Sequence, residues 1–265
     1  MAFLLVLQIN VNNSRAAHSV AFETAEAQNG DFVCVQDPYL IDGVSLGDAL
    51  GSPVFSSERY NSSIYCLNSN LKFSFKNNTL NSVTILVYFN NFPTNLSNLY
   101  FHPHDNIDDL ILEILSIGAD NFCNLLVGNF NARSHIWGYD FEDHLGRIIS
   151  EFISTNNFTI CTRTDLGPTF VSSAGHDFPD LTLISTAHQH LLDSWWIVDS
   201  ESLSDHRLVC VRLAGDFSPP QDFILKSKFS LNKFSGLFKK DYVFLKNLYK
   251  SVSSQEGIDF FYDSI

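Results

Sequence analysis

Apolar residues fall along this chain in short runs separated by Asn, Ser, Gly and Pro, and the spacing within each run predicts its element. Phe3 to Ile9 is a nearly unbroken apolar run and predicts a buried strand. Ser14 to Gln28 predicts a helix, with Ser14 as its N-cap and Asn29-Gly30 as its stop. Phe32 to Gln36 is a second short apolar strand, so the chain opens strand, helix, strand, a βαβ-like start. Ile64 to Leu67, Leu71 to Phe75 and Val83 to Phe89 predict further strands between Asn/Ser turns. Ile107 to Ile117 predicts a helix with Ile107, Leu110, Ile111, Ile114 and Leu115 on one face. Leu125 to Val127 predicts a buried strand running into Gly128, and Leu145 to Thr155 a second amphipathic helix. Thr169 to Val171, Leu181 to Ile184, Trp195 to Val198 and Leu208 to Leu213 complete the strands. Roughly ten strands and three helices predict an α/β fold, two packed sheets flanked by helices.

Composition agrees with one large domain. Of 265 residues 45% are hydrophobic, enough to bury a sizeable core, which excludes disorder as the main state. Cys34, Cys66, Cys123, Cys161 and Cys210 form no CxxC pair and no zinc spacing, and several sit inside apolar runs. Buried, reduced thiols in an intracellular compartment are the expectation. The apolar N-terminus lacks the basic region and length of a signal peptide, and no run approaches a membrane span. Ser218-Pro219-Pro220 marks a boundary. Residues 1–215 are expected to form the domain, and 216–265 a linker or truncated C-terminal extension. Charge divides at the same place. The net charge is −13, yet residues 1–220 hold nine basic against 24 acidic residues, whereas the tail holds seven Lys against five acids. So acidic a core does not bind nucleic acid by bulk electrostatics; divalent cations and local basic residues would have to offset the repulsion.

Four segments place polar groups at the end of an apolar strand, where sites gather in α/β sheets. In Gln8 to Asn12, Asn10 either caps the next helix or holds a hard cation. In Val35 to Tyr39, Asp37 either begins a turn or supplies the carboxylate that Mg²⁺ favours. In Leu126 to Ala132, Gly128 allows close backbone approach. Asn129 and Asn131, two apart on an extended strand end, should point to the same side and hold a water and a phosphate oxygen; otherwise they form an Asn-rich turn. In Ser202 to His206, Asp205 and His206 should face opposite sides, one suited to a metal and the other to proton transfer; for an isolated Ser-Asp-His the ordinary reading is a loop.

Together and in this order the segments resemble the endonucleases of LINE-type (non-LTR) retrotransposons, relatives of the abasic-site endonucleases in the endonuclease/exonuclease/phosphatase superfamily. The resemblance rests on Asn10, on Gln36-Asp37-Pro38-Tyr39, and on Tyr100. It continues through Gly128-Asn129-Phe130-Asn131-Ala132 with Trp137-Gly138, Asp143-His144-Leu145-Gly146-Arg147, Thr169-Phe170, Pro179-Asp180-Leu181-Thr182-Leu183 and Ser204-Asp205-His206, across roughly residues 3–214. It implies a four-layer α/β sandwich and hydrolysis of a phosphodiester by in-line attack of water, with Mg²⁺ or Mn²⁺ at the leaving oxygen. It further implies that Asp37 is the metal carboxylate, assisted by Asn10 and Asp205, and that Asp180 orients His206. Asn131 and Tyr100 would contact the phosphate, position 129 would prepare the water, and loops including Arg133 to Tyr139 would choose the target. DNA is the implied partner and the nucleus the implied place of action. An intact element would carry a reverse transcriptase downstream, which is not read in these 265 residues.

Two departures fall on the chemistry. The family has Glu where this chain has Asp37, which withdraws the carboxylate by roughly 1.5 Å. It has Asp where this chain has Asn129, and an amide cannot take a proton from water. The expectation is therefore a DNA-nicking endonuclease weakened at these positions; the alternatives are an inactive relic or binding module of the same fold, and a phosphatase or small-molecule phosphodiesterase of the superfamily.

Overall fold

A computed structural model describes residues 2–45, 52–89, 92–117, 122–173 and 175–215. The linker or extension expected over 216–265 lies outside them. In chain order the elements are β1 (Ala2–Asn10), α1 (Arg15–Ala27), β2 (Phe32–Gln36), β3 (Leu40–Ile41), β4 (Val44–Ser45), β5 (Val54–Ser56), β6 (Ser62–Cys66), β7 (Phe73–Asn78), β8 (Ser82–Phe89) and β9 (Phe92–Tyr100). There follow α2 (Ile107–Ser116), β10 (Cys123–Asn129), α3 (His144–Thr155), β11 (Phe158–Ile160), β12 (Phe170–Ser172), β13 (Gly175–Asp177), β14 (Asp180–Ser185), β15 (Leu192–Ile197) and β16 (Val209–Gly215).

Two six-stranded sheets result, ordered β15-β16-β1-β2-β6-β5 and β11-β14-β10-β9-β8-β7. Each is mixed about a central strand: β1 runs parallel to β2 and antiparallel to β16, and β10 parallel to β9 and antiparallel to β14. The alternation within β1 shows why the sheets stack. Leu4 and Val6 enter a core shared with Val83, Ile85, Leu96, Leu125 and Val127 of the second sheet. Leu5, Leu7 and Ile9 face the other way, onto Ala17, Ala21 and Ala25 of α1. Those alanines recur every fourth residue, so one smooth helix face meets the sheet. On the far side Leu126, Leu181 and Leu183 pack against Leu110 and Ile114 of α2 and Ile149, Phe152 and Ile153 of α3. Helix, sheet, sheet, helices is the four-layer sandwich expected, and each fully buried Leu, Ile or Phe side chain contributes on the order of 1.5–3 kcal/mol.

The helices begin where polar caps stand: Ser14 Oγ accepts from Ala17 N (3.2 Å), Asn106 Oδ1 from Asp108 N (2.9 Å), and Asp143 Oδ1 from Gly146 N (2.6 Å). The strand count is higher than the sequence pattern suggested. β9 has the sequence FPTNLSNLY, which reads as a turn region, yet it lies beside β10 inside the sheet. Its Asn95, Ser97 and Asn98 side chains are buried and matched to other polar groups. Ser97 Oγ meets Thr84 Oγ1 (2.9 Å), and Asn95 Nδ2 donates to Asn124 Oδ1 (2.8 Å). Asn98 reaches across to the first sheet: its Nδ2 donates to Val35 O and Ser63 O (2.9 Å each), while its Oδ1 accepts from Gln36 Nε2 (2.6 Å). Satisfied hydrogen bonds remove the cost of burying amides, so the hydrophobic pattern misses this strand. The small hairpin β3–β4, the edge strand β5, the three-residue β11 and β13 were also missed, whereas β12 falls on the strand expected at Thr169 to Val171.

Candidate active site

Strand ends from both sheets meet at one edge of the sandwich. β1 ends at Asn10, Asp37 follows β2, β9 ends at Tyr100, β10 at Asn129, β14 starts at Asp180, and Asp205 and His206 precede β16. Register sets the neighbours: Asn10 lies opposite Gln36, and Asn129 lies between Tyr100 and Asp180. Phe101 N donates to Asn129 O and Phe130 N to Pro179 O, extending the ladders just beyond the strands.

His206 and Asp180 are hydrogen-bonded through Nδ1 and Oδ2 at 2.9 Å, both buried. With the proton on Nδ1, the imidazole keeps a defined orientation and its Nε2 serves as the exchangeable nitrogen. The ring is seated edge-on to Phe170 (centroids 4.9 Å apart). The serines before it fix the loop: Ser202 Oγ donates to His206 O (2.6 Å), His206 N donates to Ser204 Oγ (3.2 Å), and Ser204 Oγ donates to Asn10 O (2.7 Å). The Ser-Asp-His segment is thereby tied to the end of β1; Asp205 is exposed and His206 buried.

Asp37 adopts φ +46°, a left-handed conformation that Asp tolerates better than most residues. Its N–H donates to Asn61 O (2.8 Å), and its carbonyl accepts from Asn13 N (2.8 Å). Burial raises the Asp37 carboxyl above its ordinary range, and the nearby His102 and His206 pull it back in part. Tyr100 is pushed up to about 12, first by burial and then by the Asp37 charge, although a hydrogen bond with Asn10 opposes this. Asn10, Asp37, Tyr100 and His206 thus share one neighbourhood, with His102 added by the structure. The His102-Pro103-His104 run just past a strand end was the available signal for it.

The geometry at residues 129–131 differs from the sequence expectation. β10 ends at Asn129 and Asn131 turns left-handed (φ +46°), so the two amides do not follow strand alternation. Instead Asn129 Oδ1 accepts from Asn131 N (3.1 Å), and Asn131 Nδ2 donates to Phe101 O (2.8 Å). Asn10 is likewise in a local turn, its Oδ1 accepting from Asn12 N (2.8 Å). The turn reading therefore describes these amides as built, whereas α1 is capped by Ser14 and not by Asn10. Among the buried polar atoms of the described residues that lack a hydrogen-bond partner are Asn129 Nδ2 and Asp180 Oδ1, which belong to residues paired across the β10–β14 ladder. Buried polar groups are ordinarily satisfied, so both atoms are free to meet a solvent or substrate atom.

Beside His206 opens a cleft of about 300 Å³, lined also by Asn131, Arg133, Tyr139, Phe170 and Asp177. Trp137 anchors its rim: the indole is 1% exposed and its Nε1 donates to Ala132 O (3.0 Å).

Residues 94–210 match the family described as "Endonuclease-reverse transcriptase". None of the curated proteins matches the chain significantly. Among solved structures, the endonuclease domain of TRAS1, a telomere-specific non-LTR retrotransposon, superposes with a TM-score of 0.70 at 20% identity, covering 80% of this chain and 98% of that one. The AP endonuclease LMAP from Leishmania major gives 0.63 at 13% identity, over 81% and 88%. An AP endonuclease from Archaeoglobus fulgidus gives 0.61 at 13% identity, over 80% and 100%. These structures share the fold.

Proposed function

We propose, from the match of residues 94–210 to the endonuclease–reverse transcriptase family, that this chain is a phosphodiester-hydrolysing endonuclease of the retrotransposon kind, which nicks DNA and has lost part of its rate through Asn129. The observation that carries this reading is the buried His206–Asp180 pair on the wall of an open cleft. An imidazole whose Nδ1 is committed to a carboxylate can offer Nε2 to the phosphate as charge builds in the transition state. Tyr100 ends β9 and Asn131 lies in the turn just past the end of the neighbouring β10, where a phosphate oxygen would lie. Tyr100, held neutral, is a hydroxyl donor.

The residues present fit a hard divalent cation. Asp37 is a half-buried carboxylate whose charge is disfavoured by burial, a cost that a cation would offset. Asn10 and Asp205 are the other oxygen donors on this edge, and Mg²⁺ commonly takes one or two carboxylates and completes its shell with water. Among the described residues no group of three or more His, Cys, Asp and Glu side chains is gathered to hold a metal ion, so water would have to complete the shell. When bound, Mg²⁺ or Mn²⁺ would supply charge stabilisation at the leaving oxygen.

The water-activating position is where the rate is lost. Asn129 Oδ1 accepts from Asn131 N, and its Nδ2 is buried without a partner. Asn129 can hold a water or a phosphate oxygen but cannot accept a proton. The same observation favours a second reading, a binding module that grips DNA without cutting it. Both readings imply work on chromosomal DNA in the nucleus, with a reverse transcriptase as partner activity in an intact element. Among the described residues no helix is long and apolar enough to cross a membrane.

Nicking of supercoiled plasmid with Mg²⁺ or Mn²⁺ separates the readings. The native chain should nick slowly, Asn129→Asp/Asp37→Glu faster, and His206→Ala not at all. Nicking by the double variant alone selects the binding module. Absence of nicking by either, with both folded, defeats the catalytic assignment.

A further inference from the structure

Arg133 is the one Lys or Arg among the described residues lining the cleft. In a region with nine basic and 24 acidic residues, a cation at that position is a notable feature. Its backbone is fixed. Asp143 N donates to Arg133 O (3.0 Å), and Gly146 packs so closely that a Cβ there would come 1.8 Å from the same oxygen. Its side chain is steered by two rings, with the guanidinium carbon 5.8 Å from the centroid of Tyr139 and 5.4 Å from that of Phe141. Tyr139 is held in turn by Phe178 N, which donates to its hydroxyl (3.1 Å).

The acid facing Arg133 is Asp177, at the end of the β12–β13 hairpin, and the contact is loose. The N···O distance is 3.9 Å, against 3.1 Å for Arg59–Asp105 and 2.7 Å for Arg212–Asp193. At 3.9 Å the pair is not hydrogen-bonded, and its side chains are 46% and 40% exposed. Such a pair exchanges readily, and a guanidinium fork matches two phosphate oxygens.

We propose that Arg133 binds a backbone phosphate of duplex DNA flanking the one cleaved, and that Asp177 occupies the guanidinium until the phosphate displaces it. The inference rests on the nuclease reading and adds to it a contact that positions substrate, with a resident competitor.

The test is fluorescence anisotropy of the full chain with a labelled DNA duplex in EDTA, repeated across salt concentrations. Arg133→Ala should weaken binding on the order of tenfold and flatten the slope of log affinity against log salt by about 0.9, the release expected for one phosphate. Arg133→Lys should keep the slope. Asp177→Asn should tighten binding several-fold, and the gain should vanish in Asp177→Asn/Arg133→Ala. If Arg133→Ala binds like the native chain, or if the gain survives in the double variant, the exchange is refuted while the nuclease reading stands. If the native chain neither binds duplex nor nicks it, the nuclease reading fails and takes this inference with it.

Discussion

His18 should make the fold lose stability in mild acid, by an amount that can be worked from its surroundings. It lies on the inner face of α1, 2% exposed, stacked on Phe22 (5.2 Å) and edge-on to Tyr65 (5.5 Å). Its Nδ1 accepts from Tyr39 N (3.3 Å), and its Nε2 is buried without a partner. Burial alone lowers its pKa from 6.5 to about 4. The imidazole is therefore neutral in the fold and readily protonated in the unfolded chain. Its contribution is fully present above pH 6.5 and declines as pH falls towards 4, because the unfolded state gains protons that the folded state refuses. At pH 5 the loss is about 2 kcal/mol, rising to about 3 kcal/mol below pH 4. Urea melts of the native chain and of His18→Asn, each at pH 7.5 and pH 5, isolate this contribution, since Asn keeps an acceptor and does not titrate. Other groups, such as Asp31 with its raised carboxyl, are common to both proteins and cancel. The native chain should lose about 2 kcal/mol more than the variant between the two pH values. Equal losses would refute the argument that this imidazole is held neutral by burial.

Gly146→Ala should cost roughly 1–3 kcal/mol in a denaturant melt, since the new methyl meets Arg133 O, a backbone atom with little room to move. Asp143→Ala should cost about 1 kcal/mol in the same melt by removing the N-cap of α3. Asn129→Asp should raise the nicking rate on the order of 10²–10⁴-fold with Mg²⁺ or Mn²⁺, and single-turnover plasmid assays would show it. Asp180→Asn should lower the nicking rate while leaving the melt nearly unchanged, by replacing the carboxylate that orients His206; an unaltered rate would dissociate the pair from the chemistry.

Much of the sandwich was legible because its central strands obey simple rules. Phe32–Gln36 appeared with the predicted limits, and α1 starts after the cap that Ser14 announced. β9 was illegible for the converse reason: Asn95, Ser97 and Asn98 are buried by hydrogen bonding, which leaves no apolar period to detect. For the candidate site, the strand-end rule singled out Asn10, Asp37, Asn129 and His206, which the fold brings to one edge, because polar groups stood where apolar runs stopped. It failed on direction at Asn131, where a left-handed turn replaced extended backbone. Arg133 and Asp177 are separated by 44 positions and meet only through the hairpin, a tertiary contact that no local spacing encodes.

The hydrogen bonds of Asn98 bear on how such a site stays assembled. Asn10 and Asp37 come from one sheet and Tyr100, Asn129 and Asp180 from the other, so the distance between the two groups depends on how the sheets are placed against each other. Hydrophobic contact is non-directional, and two greasy faces can slide with little penalty. The amide of Asn98, gripping Val35 O, Ser63 O and Gln36 across that interface, works as a dowel between two plates. The loops above can then change length and sequence without the two groups of strand-end residues losing alignment.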